Sequence, residues 1–214
     1  MPETILKHSL RTASILMAFA VVGTLLLAYV YDVTREPIRQ SEEAARMALF
    51  HQIVPDAMHD NDLLQDTIKI PPSDELGTSE PGLAYVARMG GQPVAVILEA
   101  IAPDGYGGEI KLLIAIRVDG SVAGVRVLNH KETPGLGDYI DITRSNWIKN
   151  FDEQSLAKTA TQGWKVKKDG GKFDYMAGAT ITPRAVVKAV YRALKYFEGH
   201  RDQLFGSPSV EKTS

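Results

Sequence analysis

Cysteine is absent from the chain. Its absence excludes disulfides, thiolate metal sites, cysteine-held iron–sulfur clusters and cysteine nucleophiles together. Any redox chemistry must therefore use a borrowed cofactor. The absence gives no signal about redox compartment. Charge of one sign is not in excess either: 24 Lys and Arg stand against 26 Asp and Glu, a net charge of −2. No basic surplus draws nucleic acid, and no acidic tail is present, so nucleic acid is not an expected partner. The chain has no Gly-Lys-Ser phosphate loop. It has no Gly-x-Ser-x-Gly elbow or Ser-His-Asp arrangement, and no residue is singled out as catalytic. His130 has no second histidine or carboxylate at ligand spacing, so no metal site is expected there. Internal repeats and low-complexity tracts are also missing.

What remains is a chain of 214 residues, 44% hydrophobic. That suits one domain with a real core plus an appendage. The appendage is one long apolar run, Thr12 to Tyr31, which is uncharged and long enough to cross a bilayer as a helix. Tyr29 and Tyr31 suit the membrane interface. A cleaved leader competes with this reading, since Ala18-Phe19-Ala20 has the A-x-A form. Cleavage there would leave an apolar core much shorter than the run. A buried core helix also competes, but the run is apolar all round. Lys7 and Arg11 precede the span and Arg35, Arg39 and Arg46 follow it, so the count of basic residues does not fix the orientation.

Beyond the span, Thr34-Arg35-Glu36-Pro37 breaks the pattern, and Pro37 opens a helix expected to run to about Ile53. Asp56 to Pro81 reads as loop with one short strand at Asp66–Ile70. Strands follow at Leu83–Met89, Pro93–Ala102, Ile110–Val118 and Val122–Leu128. Gly90-Gly91 and Asp119-Gly120 are hairpin turns. Val94–Leu98 and Leu112–Ile116 are continuous apolar runs, as in central strands buried on both faces. A helical pattern returns from Asp138 to Phe151. Trp164–Lys168 and Lys172–Tyr175 around Asp169-Gly170-Gly171 predict a third hairpin. The fold class is α+β: an antiparallel sheet flanked by helices, with one N-terminal transmembrane helix.

Three stretches carry candidate chemistry. In the first, Thr182 and Pro183 predict a helix start, with Thr182 as cap and Pro183 at the first helical position. Thr180, two residues earlier, then stands at the positive end of a helix dipole, where an anion meets free N–H groups. Gly178 and Ala179 leave room for something bulky. An ordinary capped helix explains the same residues. The second stretch, Asp104-Gly105-Tyr106-Gly107-Gly108-Glu109-Ile110, joins two buried strands, and its glycines let backbone pass close to a flat ligand. A glycine-rich hairpin loop is the plainer reading. The third is His130-Lys131-Glu132-Thr133-Pro134-Gly135-Leu136-Gly137, a loop able to wall a site. His130 alone reads as a hydrogen-bonded loop histidine.

Asp174-x-x-x-Gly178-Ala179-Thr180 resembles the attachment motif of flavinylated proteins, Asp-x-x-(Ser/Thr)-Gly-Ala-Thr, departing at Ala177. In order, the three stretches resemble the FMN-binding domains of membrane electron-transport complexes. With the single span, the chain is similar to the G-subunit family of Rnf ion-translocating complexes. The C subunits of sodium-translocating NADH:quinone reductases are related to it. The resemblance implies FMN covalently bound through its phosphate to Thr180, with Asp174, Gly178, Ala179 and Thr182 around the attachment. It implies Tyr106, Gly107, Gly108, Glu109, Glu132, Thr133, Leu136 and Gly137 around the isoalloxazine. It implies a bacterial inner-membrane, single-pass carrier with its domain on the periplasmic side. Partners would be other subunits of an Rnf-type ferredoxin:NAD oxidoreductase, membrane lipid and, during maturation, a flavin transferase. Turnover by the chain alone is not expected. The expected division is a short segment at 1–11, the span at 12–31, a connector at 32–81, the FMN-binding domain at 82–206 and a flexible tail at 207–214. Two other readings stand beside this one: a bitopic outer-face ligand-binding or assembly protein, and a stand-alone FMN-binding reductase.

Overall fold

A computed structural model describes residues 2–206 of the chain. The expected tail at 207–214 lies outside them. The chain divides into two compact units, one ending at Arg46 and the other beginning at Met47.

The first unit is helix. It belongs to α1 (Pro2–Ile53), whose last turns enter the second unit. Leu16, Met17, Phe19, Val22, Leu25, Leu26 and Leu27 are all exposed, so apolar side chains cover the whole circumference. α1 is long and apolar enough to cross a membrane once. Three hydroxyls in the apolar run are satisfied within the helix: Thr12, Ser14 and Thr24 donate to the carbonyls of His8, Leu10 and Ala20 at 3.0, 2.9 and 2.8 Å. The expected break at Pro37 is corrected: α1 runs through it. The carbonyl that loses its partner belongs to Val33, an exposed residue, so no buried polar group is stranded.

The second unit is built on a five-stranded antiparallel meander: β1 (Thr67–Ile70), β2 (Gly82–Met89), β3 (Gln92–Gly105), β4 (Gly108–Arg117) and β5 (Val122–Asn129), each beside the next. The β2–β3 turn needs positive φ at both central positions, and Gly90 and Gly91 supply 58° and 78°. At the other hairpin, Asp119 accepts from the Ser121 N–H and hydroxyl at 2.8 and 2.6 Å. The continuous apolar runs are buried on both faces, as their pattern predicts. Val96, Leu98, Leu112, Ile114 and Ile116 face one cluster, which includes Val186, Val190, Leu194 and Phe197 of α2 (Ile181–Phe205). Ala95, Ile97, Leu113 and Ala115 face another, with Phe50, Ile53, Val54 and Leu63. At Gly124 a Cβ would come 2.8 Å from Ile53, so glycine lets the end of α1 lie directly on β5.

Between β5 and α2 two expectations are corrected. The helical pattern at Asp138–Phe151 yields only the 3-10 turns Asp138–Ile140 and Trp147–Phe151. Side chains take backbone N–H groups in and just before this segment, in competition with a helical ladder. Asp138 accepts from Gly135 N at 2.8 Å, Asp141 from Thr143 N at 2.8 Å, and Ser145 from Trp147 N at 3.0 Å. The Trp164–Tyr175 hairpin does not form. Val166 and Phe173 make a single parallel bridge, and Lys167–Asp169 is a 3-10 turn. Apolar packing holds this segment instead, through Trp147, Phe151, Phe173 and Trp164 with ring centroids 4.7 to 5.5 Å apart.

Candidate functional site

The three candidate stretches meet at one end of the sheet. The β3–β4 turn places Tyr106 and Gly107 at its tip, with Gly105 paired to Gly108. The loop after β5 brings Glu132 beneath that tip, and α2 brings its first turn to the same place. A cavity of about 310 Å³ lies between them, lined by Tyr106, Glu132, Thr133, Leu136, Gly137, Gly178, Ala179, Thr180, Ile181 and Thr182. Nine of the thirteen residues singled out in the sequence are therefore together. Gly107, Gly108, Glu109 and Asp174 do not line the cavity. A Cβ on Gly107 would meet the Lys131 carbonyl at 2.0 Å, so this glycine serves loop-on-loop packing. Glu109 is exposed on β4. Asp174 pairs with Lys167, while its carbonyl accepts from Trp147 Nε1 at 2.8 Å. Sequence reasoning missed Ile181, and its place between two threonines of the motif was the available signal.

Glu132 is the buried centre of the arrangement, 5% exposed. Its Oε1 accepts from the Gly107 N–H at 2.9 Å, and its Oε2 accepts from the Thr182 hydroxyl. Gly137 packs against the same carboxylate, where a Cβ would come 2.4 Å from Oε2. One side chain thus ties together stretches 25 and 50 residues away in sequence.

The expected cap at Thr182 is corrected. α2 starts at Ile181, Thr180 occupies the cap position, and Pro183 stands third in the helix. Thr182 cannot cap, because it lies inside the first turn and its hydroxyl is committed to Glu132. Pro183 is still harmless there, since first-turn N–H groups have no helical acceptor. Thr180 makes no side-chain capping bond, although it is only 9% exposed. Thr180 lines the cavity at the start of α2, where first-turn N–H groups are free of helical acceptors. Gly178 has φ 88° and open space where a Cβ would be. Tyr106, Leu136 and Ile181 are 70%, 48% and 48% exposed, an apolar rim suited to a flat ring.

The loop before α2 hangs on Tyr139. Its hydroxyl accepts from the Met176 N–H at 3.3 Å and donates to the Ala179 carbonyl at 3.5 Å. Burial raises its pKa above the ordinary 10.0, Glu132 adds to the rise, and the Met176 N–H opposes it. A folded pKa above the unfolded one gives stability that is present below the unfolded value and lost as pH rises through the folded value. Folding stability by urea titration should therefore fall as pH is taken above about 10. Tyr139→Phe should remove part of that fall and cost about 1 kcal/mol at neutral pH. An identical alkaline profile in the variant would dissociate Tyr139 from it.

An FMN-binding domain model matches residues 105–195, and an RnfG N-terminal region model matches residues 1–53. Curated relatives named as the G subunit of the ion-translocating oxidoreductase complex match over nearly the full length. The Shewanella loihica protein is 49% identical over 205 residues, 95% of this chain and 97% of the relative. The Vibrio cholerae protein is 49% identical over 195 residues, 91% and 93% of the two chains. The Pseudomonas aeruginosa protein is 48% identical over 198 residues, 92% of each. The chain belongs to the family of G subunits of ion-translocating oxidoreductase complexes.

Proposed function

We propose that the chain is a membrane-anchored flavoprotein electron carrier. It holds FMN through a phosphoester on Thr180 and works as a redox subunit of an Rnf-type ferredoxin:NAD oxidoreductase. The observation that carries this reading is the Thr180 hydroxyl, free of capping duty in a cavity at the start of α2. The FMN-binding domain match spans the same residues. The residues present fit the group. A phosphate on Thr180 lies within reach of first-turn N–H groups and the helix dipole. The ring can rest on the rim of Tyr106, Leu136 and Ile181, with Glu132 holding the two loops together beneath it. Bound FMN supplies electron transfer, which no side chain here provides. A flavin transferase attaches it during maturation. Intact mass and peptide mapping of the protein from its native membrane tests the reading. An FMN adduct on the peptide containing Thr180 is expected, and an unmodified mass would overturn it.

The carrier domain is assigned to the periplasmic side of the inner membrane, with α1 retained among lipid. Protease added outside intact spheroplasts should digest the chain beyond Asp32. Protection there, with digestion only after lysis, would reverse the orientation.

A further inference from the structure

A second constellation lies away from the cavity, where α1 ends. His51 sits in the last turn of α1, Asp56 opens the 3-10 turn Asp56–Met58, and His59 closes that turn. His51 Nδ1 is 2.5 Å from Asp56 Oδ1. His59 Nε2 is 3.9 Å from the same oxygen, too far for a hydrogen bond. One ligand atom from each residue falls within 4.8 Å of the other two. The two imidazoles face each other, with centroids 6.3 Å apart and planes inclined at 28°.

His59 gives the cluster its meaning. Its side chain is 8% exposed, and its Nδ1 lies 3.0 Å from the Asn61 carbonyl. A carbonyl only accepts, so Nδ1 carries the proton and donates. That leaves Nε2 as a bare lone pair directed at His51 and Asp56. Nε2 is buried and has no hydrogen-bond partner. An unpaired buried acceptor is costly, and its presence calls for an occupant. A histidine whose far nitrogen is held by a backbone carbonyl is the usual arrangement around a metal ion, because that bond fixes tautomer and ring direction.

We propose that His51, Asp56 and His59 form a binding site for a divalent first-row transition ion, with Zn²⁺ the best match. Two imidazole nitrogens and one carboxylate oxygen suit Zn²⁺ and its neighbours. Ca²⁺ and Mg²⁺ prefer all-oxygen shells. Asp56 is 81% exposed, so a fourth position opens to water. The His51–Asp56 hydrogen bond gives way to two metal bonds, and the His51 proton moves from Nδ1 to its solvent-side Nε2, so that the neutral ring offers the Nδ1 lone pair to the ion. The ion fastens the last turn of α1, which carries the core residues Phe50 and Ile53, to the segment that leads into the sheet.

Titration of the untagged full-length protein in detergent with ZnCl₂ tests this. Calorimetry should show one saturable site, and Zn²⁺ should raise the thermal midpoint, an effect reversed by chelator. Co²⁺ in its place should give visible absorption bands from a nitrogen–oxygen site. His51→Ala and Asp56→Asn change exposed side chains, and each should weaken binding at least about tenfold. His59→Gln should abolish the Co²⁺ bands. Absence of saturable binding, or binding equal to wild type in both His51→Ala and Asp56→Asn, would overturn the proposal.

Discussion

Thr180→Ala is expected to leave the chain folded in the membrane and without covalent flavin. The effect should be complete, because the substitution removes the bonding oxygen. Flavin fluorescence in a denaturing gel reads it directly. The rival hydroxyl is Thr182, two residues on and lining the same cavity. It is fully buried and already donates to Glu132. Thr180 has no such bond and tops the helix. Thr182→Ala should therefore keep the adduct, while leaving one Glu132 oxygen short of a donor at a cost of about 1–3 kcal/mol. Fluorescence that survives denaturation in Thr180→Ala, or an adduct mapped to Thr182, would defeat the assignment.

Glu132→Ala should be the most destabilising single change at this site. Truncation strands the buried Thr182 hydroxyl and removes the acceptor of the Gly107 N–H, which lies on an exposed turn. The buried Thr182 hydroxyl left unpaired costs about 1–3 kcal/mol and the lost Gly107 bond about 1 kcal/mol, so a loss of about 2–4 kcal/mol is expected. Glu132→Gln keeps the shape. Its amide oxygen can accept from Gly107 and its amide nitrogen can face the Thr182 oxygen, so the loss should be about 1 kcal/mol. Both variants belong in a Thr180→Ala background, where no flavin contributes to the measured stability. Equal urea midpoints for Ala and Gln at position 132 would show that the clasp does not hold the loops.

Much of this was legible in the sequence, for definite reasons. The short apolar runs at Val94–Leu98 and Leu112–Ile116, rich in β-branched residues and bounded by turn signals, read as strands with both faces covered, and Gly90-Gly91 marks the turn between β2 and β3. The membrane-length run is legible because nothing polar interrupts it. The segment between β5 and α2 is not, because its local signals compete. Asp169-Gly170-Gly171 looks like a hairpin turn, yet Gly171 packs where a Cβ would sit 2.0 Å from the Lys165 carbonyl. Asp138, Asp141 and Ser145 fall at helical spacing but spend their side chains on nearby N–H groups. The bond between Glu132 and Thr182 joins residues 50 apart and leaves no periodic trace. The wrong cap at Thr182 follows from that missing contact. The His51–Asp56–His59 cluster escapes a sequence reading because its members straddle a helix end, where spacing rules for a single element fail.

The meander has a consequence for the order in which the protein matures. Each strand pairs with its predecessor in the chain, so the sheet can assemble as the polypeptide emerges. The cavity cannot, because α2 follows the whole sheet in the chain. Until it docks, Thr182 has not reached Glu132, the cavity has one wall missing, and Val96, Leu98, Leu112, Ile114 and Ile116 lie bare. A chain stopped before Ile181 would carry a finished sheet with a sticky face and no place for a flavin. If FMN is attached at Thr180 as proposed, its attachment would have to wait for completion of the fold, because Thr182 reaches Glu132 only when α2 docks.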